Sequence, residues 1–590
     1  ELELDDARWP PKQAQWFING QKDEGLRARH VDVPLGDLYA KTMVRVYAAY
    51  EEACERGGLV DFAELLLRAH ELWLKSPSTL AHYQARFKTI LVDEFQDTNT
   101  IQYAWLRVLA GQTIPVVAVG DDDQSIYGWR GAKVENIQRF SEDFAGTVTV
   151  RLEQNYRSTE TILEAANGLI SRNAGRLGKN LWTEGERGDP ITLYAGFNEQ
   201  DEARYIVEQA ETWCDEGNPR RSVAILYRSN AQSRVLEEAL LRERIPYRIY
   251  GGQRFYERLE IRNALAYLRL AQARRDDAAL ERVLNTPPRG IGNKTVEKLR
   301  EVARRDQASL WEAIDAVRKQ TLLPARALTA LANFQALIDD FATSAETLSL
   351  DEFTEHVIEM SGLMNYHRSE KGERGQARVE NLQELVTATR LFEPEDESIS
   401  PLQAFLDSAA LDAGEGQADP YEDSIQMMTL HSAKGLEFPL VFMAGVEENL
   451  FPHQMSLEEP GRLEEERRLA YVGITRAMQK LIVTYAENRR LHGSDMYNTP
   501  SRFIREIPGE LIEEVRLNGS VSRPLGSLSH HSLNEPPVEG LDLGRRVLHQ
   551  VFGEGVVTQF EGQGSNARVE VSFSEGSKWL VLQYANLTIL

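Results

Sequence analysis

The sequence predicts an α/β fold built on parallel sheets, and three observations predict it. Short apolar, β-prone runs end in acidic residues and alternate with helical stretches, as in Thr89–Val92 before Asp93-Glu94 and Pro115–Val119 before Gly120-Asp121. Such runs read as strands buried on both faces, the habit of parallel sheets, whose sites form at the carboxyl ends of the strands. Strand-like runs stop near residue 250 and return at 425, so a sheet is interrupted by a long insertion. The C-terminal stretch carries Gly-bounded alternating runs, such as Gly555-Val556-Val557 and Val569–Phe573, and predicts a small all-β barrel.

In chain order, residues 1–87 read as helical, with apolar spacings of three and four over Arg45–Glu55 and Asp61–Leu74 and a break at Gly57-Gly58. The first two strands follow. Residues 191–250 repeat the alternation, with a strand at Val223–Tyr227 and a helix through Glu237 and Leu241. Residues 252–423 read as mostly helical and polar, with acidic or Gly-rich loops at Glu393–Glu397 and Gly414–Gly416. Strands return at Ile425–Leu430, Leu440–Gly445 and Lys480–Tyr485. Residues 518–540, rich in Ser, Pro, Gly and His, read as a linker.

Composition bounds the function. The 590 residues are 42% hydrophobic and 27% charged, which fits several globular domains and excludes a collagen, a wholly disordered chain or a disulfide scaffold. The sequence carries no apolar run of about 18 residues and no basic-then-apolar start, so neither a membrane span nor a secretory signal is expected. Two cysteines, Cys54 and Cys214, fit a reducing cytoplasm and cannot alone form a four-ligand zinc site. The net charge of −24 argues against a passive nucleic-acid coat but leaves a local positive channel open. Glu1 stands where Met would, and acidic residues run into Trp9-Pro10-Pro11, which predicts a chain derived from a longer protein by truncation or processing.

Five segments carry chemistry. Leu91-Val-Asp-Glu-Phe-Gln-Asp-Thr98 is a strand ending in paired acids; in a phosphate-handling enzyme the first holds Mg²⁺ and the second activates water, while alone the pair reads as a solvated strand end. Val119-Gly-Asp-Asp-Asp-Gln-Ser-Ile-Tyr-Gly-Trp-Arg-Gly131 is a polar loop. There Gln124 could sense a phosphate, Tyr127 and Trp129 could stack bases, and Arg130 could contact phosphate; the alternative is a buried Trp and Tyr. In Gln154-Asn-Tyr-Arg-Ser158, Arg157 could reach a γ-phosphate and Tyr156 a base, or Arg157 is a surface arginine. In Thr429-Leu-His-Ser-Ala-Lys-Gly-Leu-Glu-Phe438, Glu437 could bind a ribose hydroxyl, and Thr429 and His431 a DNA backbone, although a lone His is more often structural. Glu464 to Ala477 reads as a helix whose Glu464–Arg468 run is a salt-bridged solvated face, followed past Gly473 by Arg476, a candidate arginine finger.

In this order the five segments resemble motifs II to VI of superfamily 1 DNA helicases, specifically the UvrD group, with Rep and PcrA as relatives. The likeness runs across essentially the whole chain. It implies two RecA-like domains that sandwich ATP, each with a helical insertion. Their expected bounds are 1–87 (insertion 1B, partial), 88–153 (domain 1A, partial), 154–250 with 424–517 (domain 2A) and 251–423 (insertion 2B). A linker at 518–540 and a Tudor/SH3-like module at 541–590 would follow. Residue by residue, the resemblance implies that Asp93 holds Mg²⁺ and Glu94 activates water. Gln124, Arg157 and Arg476 would surround the γ-phosphate of ATP, Tyr156 would stack on adenine, and Gly435 and Glu437 would lie near the ribose and phosphates. Trp129 and Phe62 would stack on single-strand bases, though a helical Phe is more often core. Tyr127, Arg130, Arg228, Asn230, Thr429 and His431 would line that channel. Thr286-Pro-Pro-Arg-Gly-Ile-Gly292 resembles the family's Gly-Ile-Gly hairpin, so Gly290 and Gly292 would offer N–H groups to a duplex phosphate, or the segment is a plain turn.

The resemblance further implies 3′→5′ translocation on single-stranded DNA, action at single/double-strand junctions, work in nucleotide excision repair, mismatch repair and replication, and a cytoplasmic, nucleoid-associated place. Repair proteins, RNA polymerase (through the C-terminal module, with Gly544–His549 and Phe552–Val557 as signature) and a second copy of the chain are its implied partners. The family's phosphate loop, Gly-x-x-x-x-Gly-Lys-Ser/Thr, is absent. Neither Asn173–Lys179 nor Gly292–Thr295 has its order. The expectation is therefore a helicase parent, with neither ATP hydrolysis nor a complete first sheet from these residues alone. The alternatives are a Rep- or PcrA-like helicase, or a non-catalytic DNA- or RNA-polymerase-binding remnant. A helicase–nuclease subunit of the RecB or AddA kind is set aside because the last 70 residues lack its cluster of acids.

Overall fold

A computed structural model describes residues 2, 4, 9–370, 373–394, 398–414, 422–459, 461–491, 494–515 and, apart from 550–552, 562–567, 574–575 and 582–586, 545–589. The expected linker at 518–540 lies outside the described residues, as do parts of the expected loops near 395 and 415. The chain divides into two units, Glu1–Glu514 and Val515–Leu590.

The first unit opens with helices Pro11–Asp23, Leu38–Gly57, Phe62–Lys75 and Pro77–Arg86. Asp37 and Asp61 start two of them by accepting the backbone N–H of Ala40 and Glu64, and Gly58, at φ 63°, lets the chain turn out of the second. The buried Lys22 ammonium bonds Asp61 at 2.7 Å and Glu64 at 2.8 Å, joining the first helix to the third.

Strands β1 (Ile90–Val92) and β2 (Val116–Ala118) then pair in parallel, Ile90 opposite Val116. Side chains alternate between the two faces. Ile90, Val92, Val116 and Ala118 pack on Phe95, Tyr103 and Leu106, whereas Leu91 and Val117 on the other face are 76% and 49% exposed. A parallel sheet normally has both faces covered, so among the described residues this sheet has an apolar face without its layer.

The second sheet is built from β3 (Ile191–Gly196), β4 (Val223–Tyr227), β5 (Tyr247–Ile249), β6 (Ile425–Thr429), β7 (Phe438–Met443) and β8 (Ala477–Ala486), with β11 (Ile512–Val515) at one edge. β9 (Asn488–Leu491) and β10 (Ser494–Tyr497) form a separate antiparallel pair. The seven-stranded order is β11-β3-β8-β7-β4-β6-β5, and every pairing from β3 to β5 is parallel. All five residues of β4 are buried, as befits a central strand covered on both faces. Two cores, one around Ile162, Leu226 and Val472 and one around Ile206, Ile225 and Leu240, fill those faces.

The helical insertion leaves after β5 and returns at β6. These strands are neighbours at the sheet edge, so the insertion adds its own core (Tyr267, Leu280, Phe334, Phe353 and Leu382 among others) without splitting the sheet. The second unit is an antiparallel sheet of β12 (Arg546–His549), β13 (Gly553–Glu561), β14 (Arg568–Phe573), β15 (Gly576–Val581) and β16 (Thr588–Ile589), in the order β15-β14-β13-β12-β16. Val547, Val557, Val569, Val571 and Phe573 form its small core.

Candidate active site

The carboxyl end of β1 presents Asp93 and Glu94. The exposed Asp93 accepts the N–H of Glu94 at 2.9 Å, and Glu94 is held at φ 49°, a left-handed conformation that costs a non-glycine residue energy and recurs at functional sites. Its carboxylate accepts the Gln96 amide at 2.6 Å. The carboxyl end of β2 lies alongside. There Gln124 donates to Asp121 at 2.6 Å, and Asp121 accepts the N–H of Asp123.

A residue that sequence reasoning did not single out joins this corner to the second sheet. Lys434, in the turn between β6 and β7, donates to Asp97 at 2.6 Å and to the Gln124 carbonyl at 3.0 Å, and lies 3.4 Å from Glu94. Its ammonium also sits 5.1 Å from the centre of the Tyr127 ring. The only sequence signal was its place between His431 and Glu437; its partners lie over 300 residues away.

Two arginines face the same region. Arg157 pairs with Glu437 at 2.5 Å and donates to the Thr475 carbonyl at 3.3 Å. Arg476, just before β8, is 2% exposed and donates to neutral oxygens: the Val472 and Leu436 carbonyls and the Thr475 hydroxyl, at 3.0 to 3.1 Å. Burial first, and then the neighbouring Arg157 charge, bring its pKa down to about 10. A guanidinium held this way is stabilised by an arriving anion. Tyr156, whose hydroxyl donates to Gln154, keeps its ring 85% exposed, and Gly435, at φ 86°, has open space where a Cβ would stand.

Asp121, Asp122 and Asp123 are the one group among the described residues whose acidic oxygens cluster closely enough for a metal, within 4.8 Å of one another. All three are already engaged. Arg176 forks onto Asp123 with two bonds of 2.6 Å, the N–H of Leu177 donates to Asp122 at 2.8 Å, and Lys179 pairs with Asp121. The triad is thus a clasp for the segment 176–179, its acids already paired, whereas Asp93 is exposed.

The aromatic cluster follows the triad. Trp129 is 37% exposed, with the Arg130 guanidinium 4.6 Å from its centre and His431 edge-on at 6.4 Å. The Tyr127 hydroxyl donates to the His431 carbonyl at 3.4 Å. Burial, then the Arg228 charge, hold the His431 pKa near 3, so the ring is neutral at physiological pH. Thr429 shares a hydrogen bond of 3.0 Å with Ser432, and the Asn230 carbonyl accepts from Arg258. Arg228 forks onto Glu466, with its shortest bond 2.8 Å, and so already holds a carboxylate. Phe62 is 93% exposed at the start of its helix, which removes the core alternative. Gly290, at φ 77°, and Gly292, ahead of the helix Asn293–Asp306, lie in the insertion.

One expectation is corrected. The run Glu464–Arg468 is not a solvated face. Glu466 and Arg467 are buried, Glu466 against Arg228 and Arg467 against Glu506 and Asn173, while Glu465 accepts the N–H of Gly128 at 2.9 Å. A run of alternating charges looks the same in sequence whether its partners are water or other helices.

Comparison with known proteins bears on the whole chain. A UvrD/REP helicase N-terminal domain matches residues 1–145, and a UvrD-like helicase C-terminal domain matches residues 150–488. The chain is 60% identical to DNA helicase II of Escherichia coli, covering 99% of this chain and 82% of the relative. It is 54% identical to DNA helicase II of Haemophilus influenzae, over 99% and 81%. It is 38% identical to the ATP-dependent DNA helicase PcrA of Bacillus subtilis, over 99% and 82%.

Proposed function

We propose, from the premise that this chain belongs to the UvrD/Rep family of DNA helicases, that it couples ATP hydrolysis between its two sheets to 3′→5′ movement along single-stranded DNA. An ATP-dependent DNA helicase is the enzyme its family membership gives. The higher identity to DNA helicase II than to PcrA supports the former's branch.

The observation that carries the reading is Arg476, buried among neutral acceptors beside Arg157 and hydrogen-bonded to the backbone on either side of Glu437, at Leu436 and Phe438. In this reading ATP lies between the carboxyl ends of β1 and β2 and the Arg157–Arg476 pair. Glu94 takes a proton from the attacking water, and Gln124, Arg157 and Arg476 meet the charge that builds on the γ-phosphoryl oxygens. Tyr156 stacks on adenine, with Gly435 and Glu437 beside the ribose and phosphates. Asp93 would hold Mg²⁺, which when bound supplies charge neutralisation for the phosphates. Lys434 touches Glu94, the Gln124 carbonyl and Asp97 at once, so it gives the opening and closing of the two sheets a direct connection to the acids.

Single-stranded DNA passes over Trp129 and Phe62, lined by Tyr127, Arg130, Arg228, Asn230, Thr429 and His431, and the N–H groups near Gly290 and Gly292 receive a duplex phosphate at the junction. Arg228 would have to exchange Glu466 for phosphate. We further propose that the bare face of the β1–β2 sheet is covered, and its phosphate loop supplied, by sequence beyond these residues. The domain division is proposed as 1–87, 88–153, 154–250 with 424–517, and 251–423. The antiparallel sheet of the second unit is proposed to close as a Tudor/SH3-like barrel that docks RNA polymerase. Excision and mismatch repair proteins, a second copy of the chain and a cytoplasmic, nucleoid-associated place complete the proposal.

The test is strand displacement by the encoded full-length protein on duplexes with a 3′ or a 5′ single-stranded tail. Opening of the 3′-tailed duplex alone, with ATP, is expected. Equal opening of both refutes the polarity. DNA binding without ATP turnover would support the binding-remnant reading instead.

A further inference from the structure

We infer that Gln96 is a positioning residue for hydrolysis, holding the Glu94 carboxylate in register with the loop that follows β2. The inference rests on the proposed role of Glu94.

Gln96 is fully buried. Its Nε2 donates to Glu94 Oε2 at 2.6 Å, and its Oε1 accepts the N–H of Asp121 at 3.0 Å. Only this orientation of the amide satisfies both partners, because a carboxylate needs the donor end and an N–H needs the acceptor end. The Gln96 carbonyl also accepts the Ser125 hydroxyl at 3.4 Å. Side chain and backbone of one residue therefore tie to both ends of 121–125, the segment that carries Gln124. Gly120 completes the fit. A Cβ built there would lie 2.7 Å from Gln96 Oε1 and 3.0 Å from Ile137 Cδ1, so the strand end passes against the amide with no room for a side chain.

Glu94 needs such a holder. Its backbone sits in a left-handed conformation rather than a broad favoured well, and its carboxylate is half-exposed. Lys434 approaches the same oxygen at the longer distance of 3.4 Å, which leaves the Gln96 amide as the short bond. Because the amide is fixed on Asp121, Glu94 and Gln124 are set by one framework, and a water between them would meet both in one geometry.

Two variants of the encoded full-length protein test this. Gln96→Glu keeps the acceptor and the volume but loses the donor to Glu94. Gly120→Ala keeps Gln96 and displaces its amide. With saturating single-stranded DNA, each is expected to lower kcat for ATP by roughly ten- to a hundredfold, with KM for ATP and Kd for DNA within about twofold of the parent. A purely structural role would instead lower the melting temperature and shift KM and Kd while leaving the kcat of the folded fraction unchanged, and that result overturns the inference. So does parental kcat in either folded variant. If neither variant folds, Gln96 is a structural peg and the inference is refuted. Glu94→Gln runs alongside: turnover retained there removes the proposed role of Glu94, whereas turnover lost there with parental kcat in both other variants removes only the role of Gln96.

Discussion

Arg176→Ala should open the clasp between the loop after β2 and the segment 176–179. The guanidinium forks onto Asp123 with two bonds of 2.6 Å, and the Asp123 side chain is 2% exposed against 15% for Arg176. Breaking a buried pair from one side costs about 3–5 kcal/mol, because the remaining charge stays buried without a partner. The lower end applies here, since Arg176 keeps some contact with water. About 3 kcal/mol is a change of more than a hundredfold in the local opening equilibrium. Hydrogen exchange of the amides at 121–128 and 176–181 should therefore quicken by about that factor, while Lys298→Ala, which breaks an exposed pair with Glu301, should leave exchange within about twofold.

The effect has a defined pH dependence. Burial raises the Asp123 carboxyl above its usual range, the adjacent Asp121 and Asp122 add to this, and Arg176 opposes it. Without Arg176 the folded-state pKa rises further. The penalty is then full at neutral pH and shrinks as pH falls through that raised pKa and the carboxyl takes a proton. Equal exchange in Arg176→Ala and the parent, or a penalty that does not shrink on acidification, would refute the reasoning.

Three further outcomes are expected. Tyr156→Ala should raise KM for ATP by roughly five- to thirtyfold, the loss of about 1–2 kcal/mol of stacking, while Tyr156→Phe stays near the parent and neither changes thermal stability, because the ring is exposed. Trp129→Ala should weaken single-stranded DNA binding by about 1–3 kcal/mol, measured by fluorescence anisotropy at fixed salt; unchanged affinity would remove Trp129 from the binding surface. His431, neutral in the fold down to about pH 3, lets the unfolded chain gain a proton first, so stability falls as pH drops from about 6.5 towards 3. His431→Gln should flatten that stretch of a urea-midpoint titration.

Local patterns were legible where one stretch of chain builds the feature. The strand ends at Asp93 and Asp121, the central strand Val223–Tyr227 and the helical insertion all follow from runs that carry their own apolar pattern. The short strand Tyr247–Ile249 was not legible, since Arg248 breaks the continuous apolar run that marks the equally short β1 and β2, and it exists because it pairs with β6. In the site, Lys434, Arg176 and Gln96 went unread for a common reason. Each is defined by partners that the fold brings in: Asp97 for Lys434, Asp123 for Arg176, and Asp121 for Gln96. The same cause made Glu466 and Arg467 read as solvated, because a buried ion pair and a wet one share a composition. Conversely, Phe62 on its helix had the look of core, and its exposure separates it from the buried Leu67 five residues further on.

The central claim is that Glu94 and Arg476 act on one phosphate from opposite sheets. The most direct measurement is single-turnover ATP hydrolysis, with single-stranded DNA, by the encoded full-length protein, by Glu94→Gln, by Arg476→Ala and by the double variant. The account predicts that each single variant loses turnover by a hundredfold or more while still binding a fluorescent ATP analogue, and that the double variant is scarcely slower than either, because residues acting on one transition state are not additive. Turnover retained in Glu94→Gln, or independent, multiplying losses in the double variant, would contradict it.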